Sequence, residues 1–183
     1  DEGLASKEEM HERVSYMEAY GVTEKQMIGV FGTYKAYDSE VAKRIPPKPK
    51  TIYQDGSGIL KRIIGYMNMR RNLLFEGDRG VGKNVLTETL AWLYKRPLYE
   101  FSVNSQHDTP LLGGKTIESD EKGRTTMGFD KESIIEAAEV GGILVLDEFN
   151  TSLAHTMSLL NSLLDERRRI QVPGYKLVEA DEN

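Results

Sequence analysis

The sequence predicts a doubly wound α/β fold with a parallel sheet, preceded by a small helical N-terminal segment. Strand and helix patterns alternate from residue 72 onward, the arrangement that produces parallel sheets covered by helices. The run "GGILVLDEF", residues 141–149, is apolar up to its acidic end, as expected of a strand buried on both faces. A glycine-rich turn, "GDRGVGK", lies between a predicted strand and a predicted helix.

Residues 1–45 are predicted to form a helical accessory segment, and residues 46–183 the α/β core. "SKEEMHERVSYMEAY" opens with a Ser-x-x-Glu capping signature at Ser6 and Glu9, which marks a helix start. A second helix pattern follows in "VTEKQMIGVFGTYKAY". The run "IPPKPK", residues 45–50, separates the two regions, because proline lacks the amide donor and restricts the residue before it.

Within the predicted core, a helix in "GSGILKRIIGYMNMRR" precedes the alternating elements. The predicted strands are "NLLFEG" (72–77), "LYEFSVN" (98–104) and "GGILVLDEF". The predicted helices are "GKNVLTETLAWLYK" (82–95), "KESIIEAAE" (131–139) and "SLAHTMSLLNSLLDERR" (152–168). The last piece, "RIQVPGYKLVEAD", is predicted to be a hairpin with Pro173-Gly174 at its turn.

Composition excludes several classes of protein. The 183 residues contain no cysteine and only three histidines, which are far apart in sequence. Disulfides and cysteine-zinc sites are therefore excluded, and a histidine-built metal site is disfavoured. No stretch approaches the roughly 18 consecutive apolar residues of a membrane span, and the acidic start "DEGLASKEEM" is no secretory signal. We therefore expect a cytoplasmic protein without a membrane partner.

Net charge is −5, but residues 46–76 are locally basic. The basic side chains in this stretch are Lys48, Lys50, Lys61, Arg62, Arg70 and Arg71. One interpretation is a solvated helix face, which the sequence favours; the other is a local patch that contacts phosphates.

The turn "GDRGVGK" has the composition of a phosphate-binding loop. Glycines at 77, 80 and 82 allow backbone amides to point inward, where side chains would block phosphate oxygens. The following helix offers unpaired amides and the positive end of its dipole, and Lys83 would bridge the β- and γ-phosphates of a nucleotide. The predicted nucleotide contacts are Gly77, Asp78, Arg79, Gly80, Val81, Gly82, Lys83, Asn84 and Val85.

Asn84 stands where such loops normally carry a serine or threonine that ligates magnesium. Its amide oxygen is a legitimate ligand for a hard cation, but it is longer and differs in geometry, and magnesium demands near-ideal octahedral coordination. Thr87 and Thr89 lie a turn or more away. We expect nucleotide binding to survive, and any cost to fall on the rate of hydrolysis.

Asp147 and Glu148 end the apolar strand. Ligands of open α/β sheets bind at the carboxyl ends of strands. Asp147 would hold magnesium through water, and Glu148 would orient and polarise the attacking water as a catalytic base. An acidic pair that only caps the next helix is the alternative interpretation. The order of the elements after the phosphate loop favours the catalytic one.

Together these residues resemble the AAA+ ATPases, and more narrowly the MoxR-like, dynein- and midasin-related branch. "LLFEGDRGVGKN" looks like the first nucleotide motif, and "NSQHDTPLLGG" (104–114) like the segment after the second strand. "GFDKESIIEAAEVGGILVLDEFNTSLAHTMSLLNSLLDERR" looks like the run through the second motif, and "RRIQVPGYKLVEADEN" is similar to the hairpin before the first sensor strand. The resemblance covers about residues 50–183 and implies the P-loop NTPase fold.

The resemblance also implies ATP bound with Mg²⁺ at a subunit interface, commonly in rings of six, with GTP an open alternative. Asn104 resembles the polar residue that restrains the catalytic glutamate, and Tyr53 and Ile59 lie where the family contacts adenine, although packing roles fit them equally. The family's sensor asparagine, arginine finger and lid follow the hairpin, so we expect the chain to be C-terminally incomplete. Arg167, Arg168 and Arg169 favour a helix-end role over that of a finger.

Three functional hypotheses remain open. The first is an ATPase that drives remodelling of a protein or nucleic-acid partner, a protein client being favoured. The second is a nucleotide-controlled binding module with slow or no hydrolysis, which Asn84 suggests. The third is the NTPase part of a DNA-associated machine of restriction or phage type. The intact Asp147-Glu148 pair favours the first hypothesis.

Overall fold

A computed structural model of the chain describes residues 5–50, 57–78, 80–102, 112–119, 123–148 and 154–181. The chain divides into two compact units, residues 1–97 and residues 98–182. None of the helices in these described ranges has both the length and the apolar character that a membrane span requires.

The first unit is helical. Its elements are α1 (Lys7–Ala19), α2 (Glu24–Phe31), α3 (Ser39–Ala42), α4 (Ile59–Asn68) and α5 (Lys83–Tyr94). Side chains satisfy the first amides of α1 and α2, because Ser6 with Glu9 and Thr23 with Gln26 form reciprocal capping boxes. The predicted helix starts are thus confirmed, and the physical reason is the one that the sequence signature implied.

The core of the first unit is formed by one apolar face from each long helix. Met17, Val30, Leu60, Ile64 and Leu93 are all fully buried. Polar side chains fix the helices around this core. Asn68 donates to the carbonyl of Gln26 (2.9 Å), and the Tyr94 hydroxyl donates to Asn68 (2.8 Å).

The prediction of a strand at "NLLFEG" is wrong. Residues 71–78 have no regular secondary structure, and Leu74 in this stretch is 79% exposed. Apolar residues of high strand propensity form a strand only where a neighbouring strand satisfies their backbone groups, and no such pairing involves the described part of this stretch.

The second unit contains the parallel strands. Its elements are β1 (Leu98–Ser102), β2 (Gly113–Ser119), β3 (Thr125–Lys131), α6 (Ser133–Val140), β4 (Ile143–Asp147), α7 (Ala154–Leu164), β5 (Arg169–Gln171) and β6 (Leu177–Glu179). β1 pairs with β4 in parallel, with Leu98 opposite Ile143 and Ser102 opposite Asp147. The α/β class is confirmed. The predicted hairpin at Pro173-Gly174 is also confirmed, because β5 and β6 are antiparallel.

A second hairpin, which the sequence analysis missed, lies between β1 and α6. β2 and β3 are antiparallel over seven residue pairs, from Gly113 opposite Lys131 to Ser119 opposite Thr125. Its strands are mostly polar and exposed. The signal in the sequence is the pair of β-branched runs Thr116-Ile117 and Thr125-Thr126, which glycines flank.

An ionic cluster joins β3, α6 and the β5–β6 turn. The Glu139 carboxylate accepts from Lys131 (2.7 Å), Lys176 (2.8 Å) and the Tyr175 hydroxyl (3.1 Å), and the Tyr175 ring stacks on Phe129 at 4.8 Å. Burial raises the pKa of Glu139, but the hydrogen bonds from Lys131, Lys176 and Tyr175 and the charge of Lys131 outweigh burial and lower it below its ordinary value. The same contacts raise the pKa of Lys131 and of Lys176.

This cluster predicts a stability that depends on pH. Because the pKa of Glu139 is lower in the folded chain than in the unfolded one, its contribution is present above the unfolded pKa and is lost as pH falls through the folded pKa. We expect Glu139→Gln to lower the free energy of unfolding by about 2 kcal/mol at pH 7. The difference from wild type should shrink below about pH 4. Urea unfolding followed by circular dichroism at both pH values measures this.

The matched control is Glu40→Gln. Glu40 pairs with Lys43 at 2.6 Å, but both side chains are about three-quarters exposed, at 78% and 68%, so its loss should cost less than about 0.5 kcal/mol. Equal effects of the two substitutions at pH 7 would contradict the role assigned to Glu139.

Candidate functional site

The predicted phosphate loop leads directly into α5 in the first unit. Gly80 and Gly82 have φ values of +82° and +91°, a region that residues with a Cβ rarely adopt. The loop therefore needs glycine at these two positions, as the sequence motif indicates. Gly77 and Asp78, which precede them, are exposed.

The start of α5 presents free backbone amides. Gly82 is the N-cap residue of α5 and has no side chain that could cap the helix. The first amides of a helix lack intrahelical partners, so those of Lys83, Asn84 and Val85 are available to a ligand. A helix start of this kind attracts anions, because the amides and the helix dipole act in the same direction.

The Lys83 side chain folds back across the loop. Its ammonium group donates to the carbonyl of Gly77 at 2.5 Å and to the carbonyl of Asp78 at 3.2 Å. The lysine thus closes the loop on itself, because its ammonium group bonds to the two residues at which the loop begins. Phosphate oxygens are stronger acceptors for an ammonium group than neutral carbonyls are.

Asn84 lies on the first turn of α5 with its side chain exposed. The two threonines that follow are buried, and their hydroxyls are engaged. Thr87 donates to the carbonyl of Asn84 (2.9 Å) and Thr89 to the carbonyl of Val85 (2.6 Å). Such bonds back to the preceding turn are common for threonine in helices.

The acidic pair ends β4 in the second unit. Glu148 has a φ of +54°, a left-handed conformation that costs a residue with a Cβ about 1 kcal/mol or more. Its amide donates to Asp147 Oδ1 at 2.8 Å, and both side chains are exposed. The Asp147 carboxylate therefore stabilises the turn that directs Glu148 away from the strand.

Ser102 forms a contact that the sequence analysis missed. It ends β1 directly opposite Asp147, and its hydroxyl donates to Glu148 Oε2 at 3.3 Å. The carboxyl ends of two parallel strands meet at one edge of a sheet. The polar side chain at the end of β1 was therefore the available signal. Asn104, which the resemblance suggested for this role, lies outside the described residues.

The structure thus brings the predicted residues together in two groups. The first group is the loop and first turn of α5, which contain Gly77, Asp78 and residues 80–85. The second group lies at the end of the parallel strands, where the predicted Asp147 and Glu148 meet Ser102. Arg79 and Tyr53 lie outside the described residues, and Ile59 is the half-buried first residue of α4.

Two further observations concern charged groups. Arg167 forms a local pair with the Asp165 carboxylate, at 2.6 and 2.8 Å. Within the described ranges, no three acidic or histidine side chains form a ready-made metal site.

Comparison with known proteins assigns the chain to a family. Residues 72–183 match the family described as AAA domain (dynein-related subfamily). An uncharacterized protein of Staphylococcus saprophyticus is 32% identical over 127 residues, which are 69% of this chain and 46% of the relative. An uncharacterized protein of Staphylococcus aureus strain USA300 is 30% identical over 141 residues, or 71% of this chain and 51% of the relative.

The chain spans about half the length of these curated relatives. The family match covers the phosphate loop, the parallel strands, the acidic pair and the β5–β6 hairpin, and it begins after α4. The chain is therefore a nucleotide-binding AAA+ module, and it belongs to the dynein-related subfamily of AAA domains.

Proposed function

We propose that this chain binds ATP and hydrolyses it, and that hydrolysis drives the remodelling of a partner, a protein client more readily than a nucleic acid. The observation that carries the proposal is the phosphate loop, which combines two left-handed glycines, the free amides at the start of α5 and the Lys83 ammonium group. These groups suit the phosphates of a nucleotide, whichever base it carries. ATP is proposed from the family, and GTP remains the alternative.

In this proposal the Lys83 ammonium group exchanges its two carbonyl acceptors for phosphate oxygens. The exchange favours binding because phosphate oxygens carry negative charge, which attracts an ammonium group more strongly than the dipole of a neutral carbonyl does. The amides of residues 83–85 then act on the same phosphates. Binding depends on backbone groups and on one charge, so it does not require the side chain of Asn84.

Glu148 is proposed to orient and polarise the attacking water. Asn84 and Asp147 offer amide and carboxylate oxygens, the ligand types that magnesium accepts together with water and phosphate. A carboxylate has about four acceptor positions, so the bond from the Glu148 amide does not prevent Asp147 from holding a hydrated cation. Bound magnesium would supply charge neutralisation for the phosphates.

Ser102 is proposed to restrain Glu148. Its hydroxyl uses one acceptor position of the carboxylate that would otherwise polarise water. At 3.3 Å and in an exposed position, this bond is weak and can exchange with water. The restraint would lower the basal rate of hydrolysis and leave nucleotide affinity unchanged.

Assembly into a ring and a cytoplasmic location complete the proposal. The family often forms oligomeric rings, and a ring would bring a second chain to each nucleotide. The net charge of −5 disfavours broad contact with nucleic acid, which supports a protein client.

A binding module that hydrolyses slowly is the second candidate. It is favoured by Asn84, whose exposed amide replaces a hydroxyl. The two candidates differ in the rate of hydrolysis and share the same contacts with the nucleotide. Phosphate release therefore separates them.

Glu148→Gln is expected to reduce phosphate release from full-length protein with ATP and magnesium by about 10²- to 10⁴-fold, because the amide is a much weaker base. Nucleotide affinity should change little. Glu100→Gln, the same chemical change at an exposed position of β1, is the control and should release phosphate at the wild-type rate. Equal, background-level release from wild type and from Glu148→Gln would exclude the enzyme and favour the binding module.

Asn84→Thr is expected to increase the dependence of nucleotide binding on magnesium, because a hydroxyl replaces an amide of different reach. Titrating nucleotide with and without magnesium gives the ratio of the two dissociation constants. Asn84→Ala is the control, and its ratio should lie at or below the wild-type value. An unchanged ratio in the threonine variant would show that the amide does not limit magnesium binding.

Ser102→Ala is expected to raise basal phosphate release by about two- to tenfold, the equivalent of one lost hydrogen bond, with no change in nucleotide affinity. Ser102→Thr keeps the hydroxyl and should retain the wild-type rate. A slower alanine variant would mean that Ser102 holds Glu148 in its productive orientation instead of restraining it.

A further inference from the structure

The C-terminal end of α5 is stabilised by side chains that come from the N-terminal helices. The last carbonyls of a helix have no amide within the helix to accept from. In α5 the left-handed turn at Lys95 lets backbone amides reach two of them, because the Lys95 amide donates to the Trp92 carbonyl at 3.2 Å and the Arg96 amide donates to the Ala91 carbonyl at 2.9 Å. The Leu93 carbonyl lies four residues before Pro97, which has no amide to donate. Trp92 and Leu93 lie in the interior of the first unit, since they are 3% and 0% exposed.

Arg13 of α1 provides the first of these bonds. Its Nε donates to the carbonyl of Trp92 at 2.9 Å, and its Nη1 donates to the carbonyl of Glu9 at 3.1 Å. The guanidinium carbon lies 5.0 Å from the centre of the Trp92 ring, and the residue is 3% exposed. A buried cation at a helix C-terminus interacts favourably with the negative end of the helix dipole.

Tyr34, just after α2, provides the second bond. Its hydroxyl donates to the carbonyl of Leu93 at 2.5 Å. Burial raises the pKa of Tyr34 above its ordinary value, so the hydroxyl remains a donor at physiological pH. A third bond runs in the opposite direction, because Arg96 donates to the carbonyl of Thr33 at 2.8 Å.

These three bonds define an N-terminal clamp, residues 6–34, on the far end of the helix whose first turn forms the nucleotide site. α5 has 12 residues and is therefore about 18 Å long. The clamp lies outside residues 72–183, the part of the chain that the family model matches. It is thus a feature that the family assignment does not explain.

We propose that Arg13 and Tyr34 are positioning residues of the nucleotide site, which act through α5. The inference rests on the proposed nucleotide binding and extends it to the N-terminal segment. With the clamp closed, α5 is fixed at its C-terminal end and its first turn is held in the conformation that binds phosphate. With the clamp open, the Leu93 carbonyl loses the Tyr34 hydroxyl and the Trp92 carbonyl keeps only the Lys95 amide, so the end of α5 can fray or shift.

The physical consequence is a thermodynamic linkage between the two ends of α5. If closing the clamp increases nucleotide affinity by some factor, bound nucleotide must favour the closed clamp by the same factor. A partner that binds or displaces the N-terminal helices would then change nucleotide affinity. Packing that is only structural would stabilise the unit without this reciprocal effect.

Hydrogen exchange of the full-length protein, with and without ADP and magnesium, tests the linkage. We expect bound nucleotide to slow the exchange of amides in α1 and α2, far from the phosphate loop. Lys83→Ala, which removes the proposed phosphate contact, should lose this protection. The comparison needs no variant of the clamp itself.

Tyr34→Phe provides the reciprocal measurement, because it removes only the hydroxyl. It should weaken ADP binding by about two- to tenfold, the range expected for one hydrogen bond. It should also reduce the nucleotide-induced protection of α1 by a similar factor. Tyr66→Phe is the matched control, the same change at a half-exposed tyrosine of α4, and should alter neither quantity.

The outcomes separate this inference from the proposed function. Wild-type protein that binds ADP without slower exchange in α1 and α2 would overturn the linkage and leave the nucleotide site intact. Equal ADP affinity of wild type and Tyr34→Phe would do the same. Wild-type protein that binds no nucleotide would overturn both proposals.

Discussion

The unpaired backbone groups at the two ends of α5 are the constraint on which the first unit depends. A 12-residue helix leaves four amides and four carbonyls without intrahelical partners. The chain solves this problem differently at each end. At the C-terminal end, the backbone amides of Lys95 and Arg96 and the side chains of Arg13 and Tyr34 donate to the carbonyls. At the N-terminal end, Gly82 brings no side chain, so the amides remain available for a ligand.

The second unit depends on a different local constraint, the geometry at the ends of β1 and β4. The parallel register sets Ser102 opposite Asp147, and this makes the contact between Ser102 and Glu148. Glu148 is in a left-handed conformation that is unfavourable for a residue with a Cβ. Residues that are held in such conformations cluster at functional sites. The hydrogen bond from the Glu148 amide to Asp147 offsets this strain in part. The pairing of β1 with β4 and the geometry of the acidic pair therefore depend on each other.

Short-range signals in the sequence predicted most of this structure, because their physics is local. The capping pair Ser6 and Glu9, the Pro173-Gly174 turn and the glycines of the phosphate loop all act within a few residues. The failures depend on distant partners. A strand at 72–77 needs a neighbouring strand that the sequence pattern does not specify, and the β2–β3 hairpin has too few apolar residues for a clear alternation. Ser102 could be found only once the register of β1 and β4 was known.

In the proposed function, nucleotide binding and hydrolysis depend on different kinds of group. The phosphate grip uses loop conformation, helix amides and the charge of Lys83, all of which tolerate a change at the next residue. Hydrolysis uses side-chain oxygens, and there Asn84 differs from the usual hydroxyl. In the proposed function the side chain of Asn84 therefore affects the rate of turnover, while the phosphate contacts are made by backbone amides and by the Lys83 ammonium group.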